Sequence, residues 1–215
     1  MSSTITQNWT DAVVVIAPTK LSSGGSGIAR GTIDLRTKKG ARLFLKLGRL
    51  TTTVLATAIN IYVRPVLNGG ATGTNLPFTH PTPPQFQSQI AVTVCPTVAT
   101  DAAIGAKTLV LSAGTSIVKG DTICISDSGG TTFGRLEFKT VAKVATATLT
   151  LTEGLEYAHS SDQADIVSRL ADVFSPVYLA GGSLYEVIFD YQVSGTSGDV
   201  VVLAHAQTYD SDTVA

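Results

Sequence analysis

The side chains of this 215-residue chain best suited to nucleophilic or metal chemistry are three histidines, His80, His159 and His205, and two cysteines, Cys95 and Cys124. Ser160, His159 and Asp162 have the residue types of a hydrolytic triad. Three near neighbours in one turn cannot present separate faces to one substrate, so the favoured reading is histidines that are satisfied or solvated. The cysteines form no CxxC and have no His pair close by, which argues against a zinc site and predicts two free buried thiols. "SDSGG", Ser126 to Gly130, resembles half of a calcium loop. Glu137 reaches the twelfth position of such a loop only if the loop starts at Ser126, and a cation there is disfavoured. "GGSGIARG", Gly24 to Gly31, lacks GxxxxGK[ST] and leads into a strand rather than a helix. GxSxG is absent. The chain is therefore expected to be no enzyme and to carry no cofactor and no metal.

The densest charge feature is basic. Arg30, Arg36, Lys38, Lys39, Arg42, Lys46, Arg49 and Arg64 are eight of the fifteen Lys and Arg, with only Asp34 among them. Residues 1–100 carry a balance of +7 and residues 101–215 a balance of -8. Nucleic-acid binding calls for interleaved exposed aromatics or a reading motif, and only Phe44 and Tyr62 lie nearby. The acidic second half would also repel a polyanion. Arg36, Lys38, Lys39, Arg42, Phe44, Lys46 and Arg49 are accordingly expected to meet an acidic protein surface, with no nucleic acid and no membrane as partner. A plain solvated sheet face is the competing reading.

The elements that position these residues are strands. The chain is 44% hydrophobic and 14% charged, rich in Thr, Ser, Gly, Ala and Val, a mixture that favours pleated sheets and turns. No segment approaches the roughly 18 apolar residues of a membrane span. "MSSTITQNWTD" lacks the pattern of a signal peptide, so synthesis in a cytoplasm without general secretion is expected. Strands are predicted over Asp11–Pro18, Ile28–Arg36, Ala41–Leu47 and Ala58–Asn68, the second and third joined as a hairpin across Gly40. In "KKGARLFLKLGRL" the alternation of Leu43, Leu45 and Leu47 with Arg42, Phe44 and Lys46 outweighs the helical spacing. "LPFTHPTPPQF", Leu76 to Phe86, is a semi-rigid connector. Short strands follow at Thr108–Leu111, Thr122–Ser126, Arg135–Val144, Thr148–Leu151 and Asp165–Ser168. A helix over "ADIVSRLADVF" is the second choice for the last region. "LYEVIFDYQV" and "DVVVLAHAQTY" are longer strands, and "DSDTVA" is a short acidic tail. The fold class is all-β: a jelly-roll-like β-sandwich from residues 1–86 and 173–215, with an inserted small β-barrel-like module at 87–172.

"GTIDLRTKKGARLFLKLGRL" followed by "INIYVRPVLNGG" resembles the core of small structural proteins of tailed-bacteriophage virions. Gly120-Asp121-Thr122-Ile123-Cys124-Ile125, Val141–Val144 and Leu149–His159 resemble a β-module common in phage particles. Together the resemblances span most of residues 28–170. They imply a virion structural protein with no catalytic residues to carry over, assembled in the host cytoplasm. A capsid decoration or cement protein is the expected role, bound to the major capsid protein and forming a homo-oligomer, with a trimer as the guess. A neck, tail-hub or fibre-anchoring component is the alternative within that class, with neck or tail proteins as its partners. A carbohydrate-binding module is the alternative outside it.

Overall fold

A computed structural model describes residues 5–22, 27–50, 57–66, 86–90, 95–113, 115–127, 135–172, 176–191 and 199–214. Among these every regular element is a strand. In chain order they are β1 (Ile5–Trp9), β2 (Val13–Ser22), β3 (Ile28–Asp34), β4 (Gly40–Leu50), β5 (Thr57–Pro65), β6 (Phe86–Ile90), β7 (Thr108–Val110), β8 (Thr122–Ser126), β9 (Leu136–Ala145), β10 (Thr148–Leu151), β11 (Ile166–Arg169), β12 (Ala171–Asp172), β13 (Val177–Ala180), β14 (Leu184–Asp190) and β15 (Asp199–Val214). The all-β expectation holds, and Ile166–Arg169 and Ala171–Asp172 are strands rather than a helix.

Two antiparallel sheets enclose the larger core. In the six-stranded sheet β15 pairs with β4 along one side and with β1 and β2 along the other, while β12 and β13 border β4. The four-stranded sheet runs β3-β14-β5-β6. Period-two alternation sends Leu43, Leu45 and Leu47 of β4 into the space between the sheets, where they meet Val200, Val202 and Ala204 of β15 and Val187 and Phe189 of β14. Each fully buried Leu or Phe here contributes about 1.5–3 kcal/mol of apolar burial. The predicted grouping of Tyr185, Val187 and Phe189 of β14 with Tyr191 just after it is present, since all four pack on this core.

The hairpin across Gly40 is not. β3 pairs with β14, and β4 pairs with β15 and β13, so the two strands stand in opposite sheets. The cause lies in their apolar faces. Ile33 and Leu35 face Leu43 and Leu45 across one core, and residues 35–39 carry the chain from one wall to the other. The "acidic tail" also needs correction: it extends β15 to Val214 and pairs with β1, a strand the alternation pattern missed. β2 runs through Pro18 instead of ending there. Pro18 is exposed and sits at a border of its sheet, the place where a missing N–H is tolerated.

The third sheet, ordered β11-β8-β9-β10-β7, is drawn entirely from residues 108–169 and has its own core of Leu109, Ile123, Ile125, Val141, Leu149, Leu151 and Val167. Its β8 and β10 match the predicted ranges residue for residue. Gly120, at φ 92°, makes the turn into β8, and the backbone N–H of Val118 donates to Asp121 Oδ2 at 2.8 Å. Isolated bridges join Thr97 to Ile166 and Val98 to Leu111. These are single bridges, not a continuous ladder closing a barrel. The expected module edges at 86/87 and 172/173 fall at strands of the sandwich, for β6 pairs with β5 and β12 pairs with β4. The connector 76–85 lies outside the described residues.

The module sits on the outer face of the six-stranded sheet. Cys124 and Leu170 pack with Leu50 and Val201, and Leu136, Phe138 and Leu203 border that cluster. Gly48 leaves room for this seat. A Cβ there would lie 2.6 Å from Leu170 Cδ2 and 2.9 Å from Ser168 Oγ.

Candidate functional site

The rest of that outer face is a ladder of aromatic and cationic side chains. The register puts Tyr178, Arg42 and Gln207 in one row, Phe44, His205 and Val14 in the next, and Trp9 beside Tyr209. Directly paired residues point to the same side of a sheet, so all of them face away from the core. Arg42 Nε donates to Gln207 Oε1 at 2.7 Å, and its guanidinium lies 4.5 Å from the Trp9 ring centroid and 5.6 Å from that of Phe44. Phe44 stacks on His205 at 4.9 Å, with the rings 11° from parallel. Trp9 meets Tyr209 edge-on at 4.9 Å. Around these half-buried rings, Tyr178 is 70% exposed and Val14 65%. An arginine stacked between rings keeps its charge and loses little rotamer freedom when it meets a partner.

The seven residues nominated from sequence are spread over β4 and the crossing that precedes it. Arg42, Phe44 and Lys46 share the outer face of β4, as the alternation requires. Arg36, Lys38 and Lys39 lie in the 35–39 crossing at one end of the sandwich. Arg36 is bound to Asp34 through two hydrogen bonds, which hold the Asp34 carboxyl down at about 2. Lys38 pairs with Asp210 at 2.8 Å. Arg49 pairs with Val200 in the ladder, and its side chain lies outside the described residues.

The charge asymmetry between the two halves is met in part inside the molecule. Lys20 pairs with Asp199 at 2.6 Å, Lys38 with Asp210, and Arg30 and Arg64 flank Glu186 at 3.6 and 2.7 Å. Four basic residues of the first half thus lie beside Glu186, Asp199 and Asp210 of the second. Arg42 differs, being held by rings and an amide rather than by a carboxylate among the described residues.

A second polar cluster lies inside the module. His159 is buried with Nδ1 3.0 Å from Asp165 Oδ2 and Nε2 2.9 Å from Glu137 Oε2. Glu137 also accepts the backbone N–H of Glu156 at 2.6 Å and lies 3.2 Å from the buried Lys139 ammonium. Burial raises the Glu137 carboxyl, but hydrogen bonds from Glu156, His159, Lys139 and Tyr157 outweigh it and hold the group below the ordinary Glu value. The triad considered on paper is excluded by this geometry. Both ring nitrogens face carboxylates, while Ser160 Oγ is turned to Asp101 at 3.3 Å. Lys139 and Asp165 were missed from sequence. The signal was the inward set of β9, which reads Glu137, Lys139, Val141 and puts two charges where apolar residues belong. His80 lies outside the described residues. Cys95 and Cys124 are both buried and unbridged, as expected.

No family model and no curated protein matches this chain. Among solved structures, the VP2 subviral particle of infectious bursal disease virus aligns at 10% identity and a TM-score of 0.21, over 96% of this chain and 82% of that one. The structure of the Gt strain of the same virus aligns at 8% identity and a TM-score of 0.17, over 95% and 80%.

Proposed function

We propose that the protein is a non-enzymatic structural component of a virus particle. Within that class we propose a decoration protein of a tailed-phage head, binding the capsid shell through the outer face of the six-stranded sheet. The observation that supports this is the open cation–aromatic ladder, Arg42 among Trp9, Phe44, His205 and Tyr209, flanked by exposed Tyr178 and Val14. Aromatic and Arg anchors dominate the energetics of protein interfaces, whereas an exposed ion pair adds only about 0–1 kcal/mol. The internally paired cations at Lys20, Arg30, Arg36, Lys38 and Arg64 are therefore weak candidates for binding, and Arg42 is the strongest. The resemblance of Gly31–Leu50 and Ile59–Gly70, and of the 120–159 pattern, to phage structural proteins points the same way. Assembly as a trimer would present three such faces and gain avidity on a repeating shell.

Imaging particles that carry the labelled protein tests the placement. Label distributed over the head supports decoration. Label confined to the neck or tail supports the adaptor or fibre-anchoring reading instead. The ladder also favours one reading of a different class, since exposed Tyr178 and the Trp9–Tyr209 pair could stack on sugar rings. Glycan-array binding that Trp9→Ala abolishes would support a carbohydrate-binding module.

A further inference from the structure

We propose that Asp127, His159 and Asp165 form a binding site for a divalent transition-metal cation of the zinc type. This rests on the interior of the module and is independent of the adhesive reading. His159 Nδ1 lies 3.0 Å from Asp165 Oδ2 and 3.5 Å from Asp127 Oδ1, and the three ligand atoms lie within 4.8 Å of one another. Donors arranged tetrahedrally on zinc at its usual bond lengths stand about 3.3 Å apart, which those two distances bracket. The far side of the ring is prepared for the same task. Nε2 faces Glu137 Oε2 at 2.9 Å, and Glu137 is itself held by Lys139 and by the N–H groups of Glu156 and Tyr157. A fixed carboxylate accepts the hydrogen bond from Nε2–H, which fixes that tautomer and leaves the Nδ1 lone pair pointing at the two aspartates, the arrangement in which a ligating histidine is held.

A proton is the rival occupant, because an imidazolium would donate to Glu137 and Asp165. One proton on Nδ1 serves one acceptor and neutralises one charge, yet two aspartates converge on that nitrogen. A divalent cation engages both and neutralises both. The site is also buried: the His159 side chain is 0% exposed and Asp165 2%, so a close counter-charge there acts with little screening by water. Asp127, at 26% exposed, gives access from solvent and leaves a fourth position for water. Asp127 follows β8 and Asp165 precedes β11, two strands paired at Ser126 and Ile166, and His159 comes from the segment after β10. An ion there staples three chain segments at one end of the module.

The test is calorimetric titration of the chelator-stripped full chain with zinc, paired with thermal melting and with the visible spectrum of the cobalt(II) form. One bound zinc is expected, with a higher melting midpoint and ligand-field bands from cobalt in a nitrogen–oxygen site. Asp127→Asn, at a part-exposed position, should fold and melt like the metal-free wild type and lose both zinc heat and cobalt bands. Glu137→Gln should weaken binding about 10- to 100-fold. No zinc heat and no rise in midpoint at excess zinc would overturn the site. So would binding undiminished in Asp127→Asn, which places the ion elsewhere. A midpoint that follows pH and ignores metal would assign the cluster to a proton-bridged imidazolium, and would overturn it too.

Discussion

Gly31→Ala is expected to open the seam where the two sandwich sheets meet. Gly31 lies in β3, opposite Val187 of β14, with its vacant side turned towards β2. A Cβ there would fall inside the contact distance of the Val15 carbonyl oxygen, 2.8 Å from the Val15 carbonyl carbon and 2.7 Å from Ile16 Cγ1. Two of those three atoms are backbone, so relief requires moving a strand rather than turning a side chain. Overpacking costs about 1–3 kcal/mol, and a backbone obstacle puts this site at about 3. The opposing effect, a less flexible unfolded chain, returns only about 0.4–1 kcal/mol. The net loss of about 2 kcal/mol corresponds to a melting midpoint lower by about 4–8 °C for a chain of this size. Gly48→Ala is the internal comparison. Its added methyl meets the ends of Leu170, Ser168 and Val201, which can yield, so its loss should be smaller. Urea unfolding of the three proteins measures both. A Gly31→Ala chain as stable as wild type, or more stable than Gly48→Ala, would refute the close approach of β2 and β3.

Leu45→Asp places a carboxylate at a position that is 0% exposed in the centre of β4, and should leave the chain unfolded by circular dichroism. Thr146 sits at φ 55° in the β9–β10 turn, and Thr146→Gly should raise stability by about 1 kcal/mol in urea unfolding. Burial first, and then neighbouring Cys95, push the Cys124 thiol up from 9.0 to about 12, against a smaller pull from Lys20. A folded value above the unfolded one means that the stability tied to the neutral thiol is complete below pH 9 and is lost as pH rises towards about 12. Unfolding free energies of Cys124→Ala and wild type should therefore converge over that window, and parallel curves would count against a buried neutral thiol.

The strands were legible because alternation carries them. Leu43, Leu45 and Leu47 against Arg42, Phe44 and Lys46 define β4 and its faces, and the Gly120 turn locates β8. Pairing was less legible. Two adjacent strands with a turn between them look alike whether they pair with each other or stand on opposite walls of one core, and β3 and β4 do the latter. The tail was misread because Asp210 and Asp212 obscure the strand character of residues 210–214, which only the ladder with β1 shows. Sequence order also hides Asp210 and Glu186, which arrive from the other end of the chain to meet Lys38, Arg30 and Arg64 of the basic run. The part of the ladder contributed by Trp9, Tyr209, His205 and Tyr178 comes from three distant strands, and no local spacing announces it.

Co-sedimentation of the purified protein with undecorated particles tests the central claim most directly, comparing wild type with Arg42→Glu/Lys46→Glu. Both side chains lie on the outer face of β4, so the double variant should keep the wild-type circular dichroism spectrum. The adhesive reading predicts that the wild type pellets with the particles and the double variant stays in the supernatant. Equal attachment of the two proteins would contradict it, as would tight, salt-sensitive DNA binding that the double variant loses.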